Sequence, residues 1–374
     1  MGNEIIFKSR IPNLKSRIKK IMDLITFKII LVVALFAVSL GIAAYSTWGE
    51  RKVAAALQDR IGPNRAGPFG LLQPLADGGK LFFKEGFIPS GAEKFLFILG
   101  PSITMFIALV TGAVIPWGKS LNIGGESFAL QVANIDVGVL FLVGMVSIGV
   151  YGMMIGGWAS NNKYSLIGAI RASSQMISYE LAMGLSLLSI IMMSGSLDLN
   201  KIVADQGTGK LWGLFEADGF NWNILYQPLA FIIFFVAAMA ETNRHPFDLP
   251  ECESELVNGY MTEYSSMNFG MYMFGEYVNM FISNALIATL FFGGFNYPGI
   301  NWVTENWGEN VAGILSILAI MAKAIIGILI FMWIRWTIPR FRYDQLMHLG
   351  WKTLIPLALI NLVITGAVIL FAGA

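Results

Sequence analysis

The chain contains 374 residues, of which 56% are hydrophobic and only 13% are charged. Its mean hydropathy of +0.65 is typical of a multi-spanning membrane protein and excludes an ordinary soluble domain. The formal net charge of +1 gives no electrostatic basis for binding nucleic acid. The single cysteine, Cys252, excludes a disulfide framework and an iron–sulfur cluster held by cysteines of this chain.

The first segment, residues 1–27, predicts a basic amphipathic tail. It lacks the apolar core and small-residue cleavage site of a signal peptide. Apolar residues interleave with its cations, which favours a helix lying on the outer membrane surface. The cations are Lys8, Arg10, Lys15, Arg17, Lys19 and Lys20, and the apolar residues are Ile11, Leu14, Ile18, Ile21 and Met22.

The rest of the chain, residues 28–374, predicts one domain of eight transmembrane helices. Each apolar run is close to the twenty residues that a helix needs to cross the hydrocarbon. The runs lie at residues 28–48, 95–117, 138–159, 172–193, 225–241, 272–294, 311–334 and 351–373. They are too long for barrel strands, so the predicted fold class is an all-α integral membrane bundle with interfacial amphipathic helices in its loops.

The distribution of basic residues predicts the orientation of these helices. The loops after the odd-numbered spans contain thirteen Lys or Arg, whereas those after the even-numbered spans contain three. This bias places residues 49–94, 160–171, 242–271 and 335–350 in the cytoplasm. Eight spans then leave both termini outside, although the tail is basic. Either the tail is the surface helix described above, or the span count is wrong by one.

The first odd loop combines a rigid turn with a charged helix. Residues 62–68 contain two Gly-Pro pairs, and a helix is predicted over residues 71–85. Asp77, Lys80 and Lys84 share one face of that helix. They are either solvated charges on an interfacial helix, or charges directed at a polar ligand headgroup beneath a rigid lip.

Ionisable residues also occur inside the apolar runs. Glu180, Glu241, Glu276 and Lys323 all fall within or at the ends of predicted spans. Such residues are costly in a bilayer and usually mark an ion or proton route. The alternative is a set of buried ion pairs that fix the register of the helices.

The fifth loop is the most acidic part of the chain. Residues 241–263 contain six carboxylates and one arginine. Glu251 and Glu255 share a helical face, and crowding in a low-dielectric pocket would make at least one hold a proton near neutral pH. The histidines, His245 and His348, have no ligand cluster at metal spacing, so no metal site is predicted.

Five long motifs occur along the chain, at residues 50–52, 60–85, 157–180, 241–264 and 340–347. In their order and register they resemble a known family, the H-type (NuoH-like) membrane subunit of NADH:quinone oxidoreductase, respiratory complex I. The resemblance covers about residues 28–373.

The resemblance implies a role for particular residues of this chain. The predicted quinone chamber contains Arg60, Asp77, Lys80, Phe247, Asp248, Glu251, Glu253 and Glu255. The predicted proton path contains Glu180, Glu241, Glu263, Glu276 and Lys323. The predicted contact with the peripheral arm contains Arg340, Arg342 and Asp344.

The resemblance further implies a component of a proton-translocating enzyme without a redox centre of its own. The substrate would be a quinone, either ubiquinone or menaquinone. FMN and iron–sulfur clusters would belong to partner subunits in the bacterial inner membrane. Under this hypothesis, quinone reduction changes the protonation of the fifth loop and thereby of the buried carboxylates.

Two other functions remain open at this point. A membrane subunit of an energy-converting hydrogenase would share the bundle and the acids but would need no quinone tunnel. A stand-alone ion-coupled transporter would be active in isolation, whereas a coupling subunit would require its partners.

Overall fold

The computed structural model describes the backbone of residues 2–123, 126–207, 210–211, 215–216, 219–250 and 257–372. Side chains are described within these ranges except at residues 2–21, 210, 211, 215, 216 and 372.

Helices make up most of the described chain. In order they are α1 (Gly2–Leu57), α2 (Gln73–Phe83), α3 (Lys94–Thr111), α4 (Gly138–Ala159), α5 (Lys163–Ser194), α6 (Leu199–Gly207), α7 (Asn223–Tyr226), α8 (Pro228–Glu241), α9 (Ser266–Phe291), α10 (Ile300–Trp307), α11 (Glu309–Thr337), α12 (Tyr343–His348) and α13 (Ile355–Ala372). The strands form two small antiparallel hairpins, β1 (Leu121–Ile123) with β2 (Glu126–Phe128) and β3 (Lys210–Leu211) with β4 (Phe215–Glu216). The predicted all-α class is confirmed.

A helix occupies each of the eight predicted apolar runs. Within the described residues, six helices are long and apolar enough to cross a membrane. They are Met22–Leu57, Lys94–Val114, Gly138–Ala159, Lys163–Ser194, Glu309–Thr337 and Tyr343–Phe371. Helix α8 has only 14 residues. Helix α9 has 26 residues but includes polar groups such as Glu276, Asn279 and Asn284, which lower its hydropathy. The chain is therefore an integral membrane protein.

Helix α9 lies at the centre of the bundle. It packs against α1, α3 and α11, and it also contacts α2 and α8. Its buried side chains include aromatic residues such as Tyr272 and Phe281 as well as the carboxylate of Glu276. Because α9 touches most of the other long helices, a charged residue on it can reach groups from several elements.

Helices α3 and α4 approach each other through glycine. A Cβ at Gly152 would lie 2.4 Å from the Thr104 hydroxyl, and one at Gly156 would lie 1.9 Å from the Tyr272 hydroxyl. The Tyr272 hydroxyl donates to the Gly152 carbonyl at 3.1 Å. Small residues four apart let helix backbones come together in a bilayer, where apolar side chains give no driving force relative to lipid. This packing holds α9 firmly against α3 and α4.

Candidate functional site

A cluster of buried charges lies where α1, α9, α11 and the loop after α8 meet. The guanidinium of Arg244 stands between two carboxylates, with Nη1 4.0 Å from Glu50 Oε2 and Nη2 3.8 Å from Glu276 Oε2. Arg335 of α11 pairs with the other oxygen of Glu50. The side chain of Arg244 is only 5% exposed. The burial of these charges is therefore compensated by opposite charges from four separate elements.

Two tyrosines complete this cluster. The Tyr277 hydroxyl donates to Glu50 Oε2 at 2.5 Å, and the Arg244 guanidinium lies 4.0 Å from the centre of the Tyr277 ring. The Tyr260 hydroxyl donates to Glu276 Oε1 at 2.8 Å. Each carboxylate thus has both a cation and a phenol beside it, and this compensation lowers the cost of burying charge inside a membrane protein.

A cavity of about 160 Å³ adjoins the cluster on the side of α2. Its charged and polar lining includes Arg51, Asp77, Lys80 and Tyr277, and the rest is mainly apolar. Arg51 pairs with Asp77 at 3.0 Å. The structure therefore brings two of the predicted chamber residues, Asp77 and Lys80, to one cavity, and Tyr277 of the buried cluster forms part of its wall.

Smaller cavities lie on the interior side of the cluster. One of about 40 Å³ is lined by Glu241, Glu276 and Asn279. A second of about 20 Å³ shares Glu241 and Asn279 with the first. Glu241 is 4% exposed and hydrogen bonds to Asn279. Glu241 and Glu276, predicted from different parts of the sequence, thus face the same internal space.

Glu180 lies beside this line of cavities. It accepts a hydrogen bond from Ser147 of α4. It also lines an open, largely apolar groove of about 600 Å³ between α4 and α5. The groove and the innermost cavity share Val143 and Leu187. The order of the groups from α2 inward is therefore the Asp77 cavity, the Arg244 cluster, Glu241 and then Glu180.

The fifth and seventh loops are joined by charge and by aromatic contact. Arg340 Nη2 lies 2.8 Å from Asp248 Oδ2 and 3.0 Å from His245 Nε2. The Phe341 amide donates to the Pro246 carbonyl at 3.1 Å, and the Phe247 and Phe341 rings are 5.5 Å apart. Arg340 of the seventh loop is therefore paired with the acidic fifth loop.

The remaining predicted site residues lie elsewhere. Arg60 is exposed and donates to Gln58. Glu263 accepts from Asn162 of the third loop at 2.6 Å. Arg342 and Asp344 pair with each other at 3.2 Å on the surface. Lys323 contacts backbone carbonyls at the end of α9. Glu251, Glu253 and Glu255 lie outside the described residues.

Sequence reasoning assigned no role to several residues of the buried cluster. These are Glu50, Arg244, Arg335, Tyr260 and Tyr277. The sequence does mark two of these residues as candidates, because Glu50 lies at the end of an apolar run and Tyr277 follows Glu276. The pairing of residues from distant segments, however, cannot be deduced from the sequence. Among the described residues no group of His, Cys, Asp and Glu is placed to hold a metal ion.

Fold and site together define an all-α integral membrane protein in which charged residues connect a cavity near α2 with carboxylates deeper in the bundle. The family described as NADH dehydrogenase matches residues 28–366. Similar proteins are named as the H-type subunit of NADH-quinone oxidoreductase. The one from Flavobacterium psychrophilum is 59% identical over 343 residues, covering 92% of this chain and 97% of that protein.

Two further relatives with the same name extend this similarity. One from Cytophaga hutchinsonii is 61% identical over 92% of this chain and 96% of its own length. One from Thermomicrobium roseum is 48% identical over 89% of this chain and 93% of its own length. The chain belongs to the family of H-type membrane subunits of NADH-quinone oxidoreductase.

Proposed function

We propose that this chain is the membrane subunit that forms much of the quinone chamber of a proton-translocating NADH-quinone oxidoreductase and couples quinone reduction to proton movement. The observation that carries the proposal is the Arg244 cluster. Its Tyr277 lines the cavity that contains Asp77, its Glu276 lines the cavity that contains Glu241, and Glu50 and Arg244 connect the two.

The lining of the Asp77 cavity suits a quinone, which has an apolar tail and a polar headgroup. Ligand sites are mostly apolar, with a few polar groups that orient the ligand. Apolar walls from α1, α2 and α9 would contact the isoprenoid tail, while Arg51, Asp77 and Lys80 would guide the polar headgroup past the mouth. Membership of Arg60, Phe247 and Asp248 in the quinone chamber stays a prediction.

The interior carboxylates would carry the proton movement. Reduction of a quinone to a quinol takes up two electrons and two protons, so it creates a demand for positive charge at the headgroup. Tyr277 and Glu50 would respond first, and Arg244 would pass the change to Glu276. Glu241 and Glu180 would follow along the line of cavities. Membership of Glu263 and Lys323 in this path stays a prediction.

The fifth and seventh loops would face the peripheral arm. Asp248 and Arg340 tie the two loops together, and Arg342 and Asp344 are exposed for contact with partner subunits. NADH, FMN and iron–sulfur clusters would belong to those partners. Quinone chemistry would therefore take place at the junction of the two arms.

The membrane arrangement follows from the basic-residue bias and one structural contact. We propose eight spans in a bacterial inner membrane, with α8 and α9 added to the six apolar helices and with α2 and α10 at the interfaces. Lys28, at the start of the first span, donates to the Gln131 carbonyl in the second loop. This contact supports a tail that emerges on the same side as the even-numbered loops, outside the cell.

A pair of glycines in α2 tests the quinone chamber. Gly78 lines the cavity and Gly79 does not, and a Cβ at either position meets nothing within 4 Å. We expect Gly78→Leu in the assembled complex to raise the KM for quinone at least about fivefold, because overfilling a site costs about 1 to 3 kcal/mol. Steady-state kinetics with quinone as the varied substrate measure this effect.

Gly79→Leu is the matched control, since it makes the same change one residue away. It should leave the KM for quinone within about twofold of wild type. Equal effects of the two substitutions, or no effect of Gly78→Leu, would contradict a quinone passage at this cavity.

The acidic fifth loop supplies a separate prediction. We expect Glu251→Gln or Glu255→Gln to lower quinone reduction or proton pumping on the order of tenfold in a properly assembled complex, because an amide cannot hold or release a proton. Glu305→Gln, on the exposed face of α10, is the control. Wild-type rates of both activities in both fifth-loop variants would show that these carboxylates do not couple the two processes.

A further inference from the structure

Lys323 lies in the middle of α11, where a charge in the apolar layer is costly unless it is compensated. Its ammonium donates to the carbonyl oxygens of Phe292 at 2.7 Å, Gly294 at 2.8 Å and Asn296 at 2.5 Å. The same ammonium lies 5.3 Å from the centre of the Trp222 ring. Its contacts are thus backbone oxygens and an aromatic face.

The carbonyls converge because of the way α9 ends. Gly293 and Gly294 have φ values of +73° and +54°, a conformation that side-chain-bearing residues rarely adopt. They turn the chain back after Phe291, and the Gly294 amide donates to Ala288 O at 2.8 Å. A helix normally ends with carbonyls that lack partners within the helix. Here the turn directs such carbonyls towards one point.

Helix α6 holds the turn in place from the other side. Gln206 Oε1 accepts from the Gly293 amide at 2.9 Å, and Asn296 Nδ2 donates to the Val203 carbonyl at 2.7 Å. Both side chains are buried. The three carbonyl oxygens are therefore positioned by the turn after α9 and by α6, independently of the lysine.

The chemistry of this site selects a monovalent cation. An ammonium has three N–H donors and no acceptor, and here three carbonyls accept them. Rings of carbonyl oxygens replace the hydration shell of monovalent ions, a helix C-terminus attracts positive charge, and an indole face does the same. A neutral amine at this position would have only two N–H donors, and its lone pair would face the third carbonyl oxygen, so the protonated form is favoured.

We propose that the turn after α9 is a monovalent-cation site whose permanent occupant is the Lys323 ammonium. Lys323 therefore keeps its proton during turnover and anchors α9 to α11. Away from this turn the same two helices are also connected through Tyr277 and Arg335, which share Glu50. The anchor thus fixes the position of Glu276 and Tyr277 without contacting quinone. The activity measurements that test the inference rest on the proposed function, whereas the melting temperature tests the site itself.

The experiment compares variants of the assembled complex by melting temperature and by protons pumped per quinone reduced. Lys323→Met should lower the melting temperature and reduce quinone reduction about fivefold or more, because it leaves three buried carbonyls without donors. Proton pumping should fall in parallel, so the number of protons per quinone stays unchanged. Lys323→Arg, which keeps a fixed charge, should also keep this ratio.

Gly294→Ala tests the same site without changing the lysine. Its Cβ would lie 2.8 Å from Val203 Cγ2 at a positive φ, so it should displace the carbonyls and reproduce the losses of Lys323→Met. It also decides the question if Lys323→Met fails to assemble. Lys28→Met, which removes an ammonium bonded to the single carbonyl of Gln131, is the control and should leave the melting temperature and quinone reduction near the wild-type values.

Two results would overturn the proposal. One is a selective fall in protons per quinone in Lys323→Met or Lys323→Arg at a wild-type melting temperature, which is the behaviour of a proton carrier. The other is a wild-type melting temperature and activity in Gly294→Ala, which would show that the carbonyls are not a site.

Discussion

Replacing Arg244 by Met is expected to destabilise the protein by about 3 to 5 kcal/mol, the usual cost of removing one partner from a buried ion pair. Glu50 would keep its ion pair with Arg335. Glu276 would lose its contact with Arg244, the cation that lies beside it among the described residues. We also expect quinone reduction to fall on the order of tenfold, because removing a residue that connects two sites changes their coupling by about 0.5 to 2 kcal/mol. Thermal unfolding of the assembled complex measures the first effect, and quinone reduction compared with reduction of a hydrophilic acceptor in the peripheral arm measures the second.

A double variant separates stability from coupling. Arg244→Met combined with Glu276→Gln removes both charges, so it should recover part of the lost stability. Its quinone reduction should stay low, because the connection between the two cavities is still broken. Full recovery of activity in the double variant would show that Arg244 only neutralises Glu276. Unchanged stability of the single variant would contradict the burial of the pair.

Replacing Glu241 by Gln is expected to stop proton translocation with little loss of stability. The amide keeps the shape of the side chain and its bond to Asn279, but it cannot exchange a proton. We expect proton pumping to fall about a hundredfold, the lower end of the contribution of positioned proton-transfer groups. Quinone-driven pumping in proteoliposomes, with the melting temperature as a check on folding, measures the effect.

Two comparisons make this second prediction specific. Reduction of the hydrophilic acceptor should be unchanged, because that reaction does not involve the membrane subunit. Glu305→Gln should pump at the wild-type rate, because its carboxylate is exposed on α10. Normal protons per quinone in Glu241→Gln would remove this residue from the path.

Much of the fold follows directly from the sequence. Apolar runs near the length of the bilayer predict helices, and helices occur at each of those positions. Residues that are costly in lipid, such as Glu241 and Glu276, are also found together at one cavity. Both predictions depend on local composition, where the physics of a bilayer leaves few alternatives.

The partners of these residues do not follow from the sequence. Arg244 meets Glu50 and Glu276 only because α1 and α9 pack side by side. Lys323 is an example, because the sequence shows an ionisable residue within a span but not the carbonyls that two glycines turn towards it. Contacts between distant segments depend on packing, which one sequence does not specify residue by residue.

The central position of α9 sets the distance over which coupling has to act. Tyr277 faces the outer cavity, while its neighbour Glu276 and nearby Asn279 face the inner one. The two cavities are therefore separated by the width of one helix, about 10 Å. Two unit charges at about that separation interact by about 1.7 kcal/mol at an effective dielectric constant of 20, which shifts a protonation equilibrium more than tenfold. A single electron arriving at a quinone headgroup could thus be felt on the far side of α9 through the electric field alone, without a large rearrangement of the bundle.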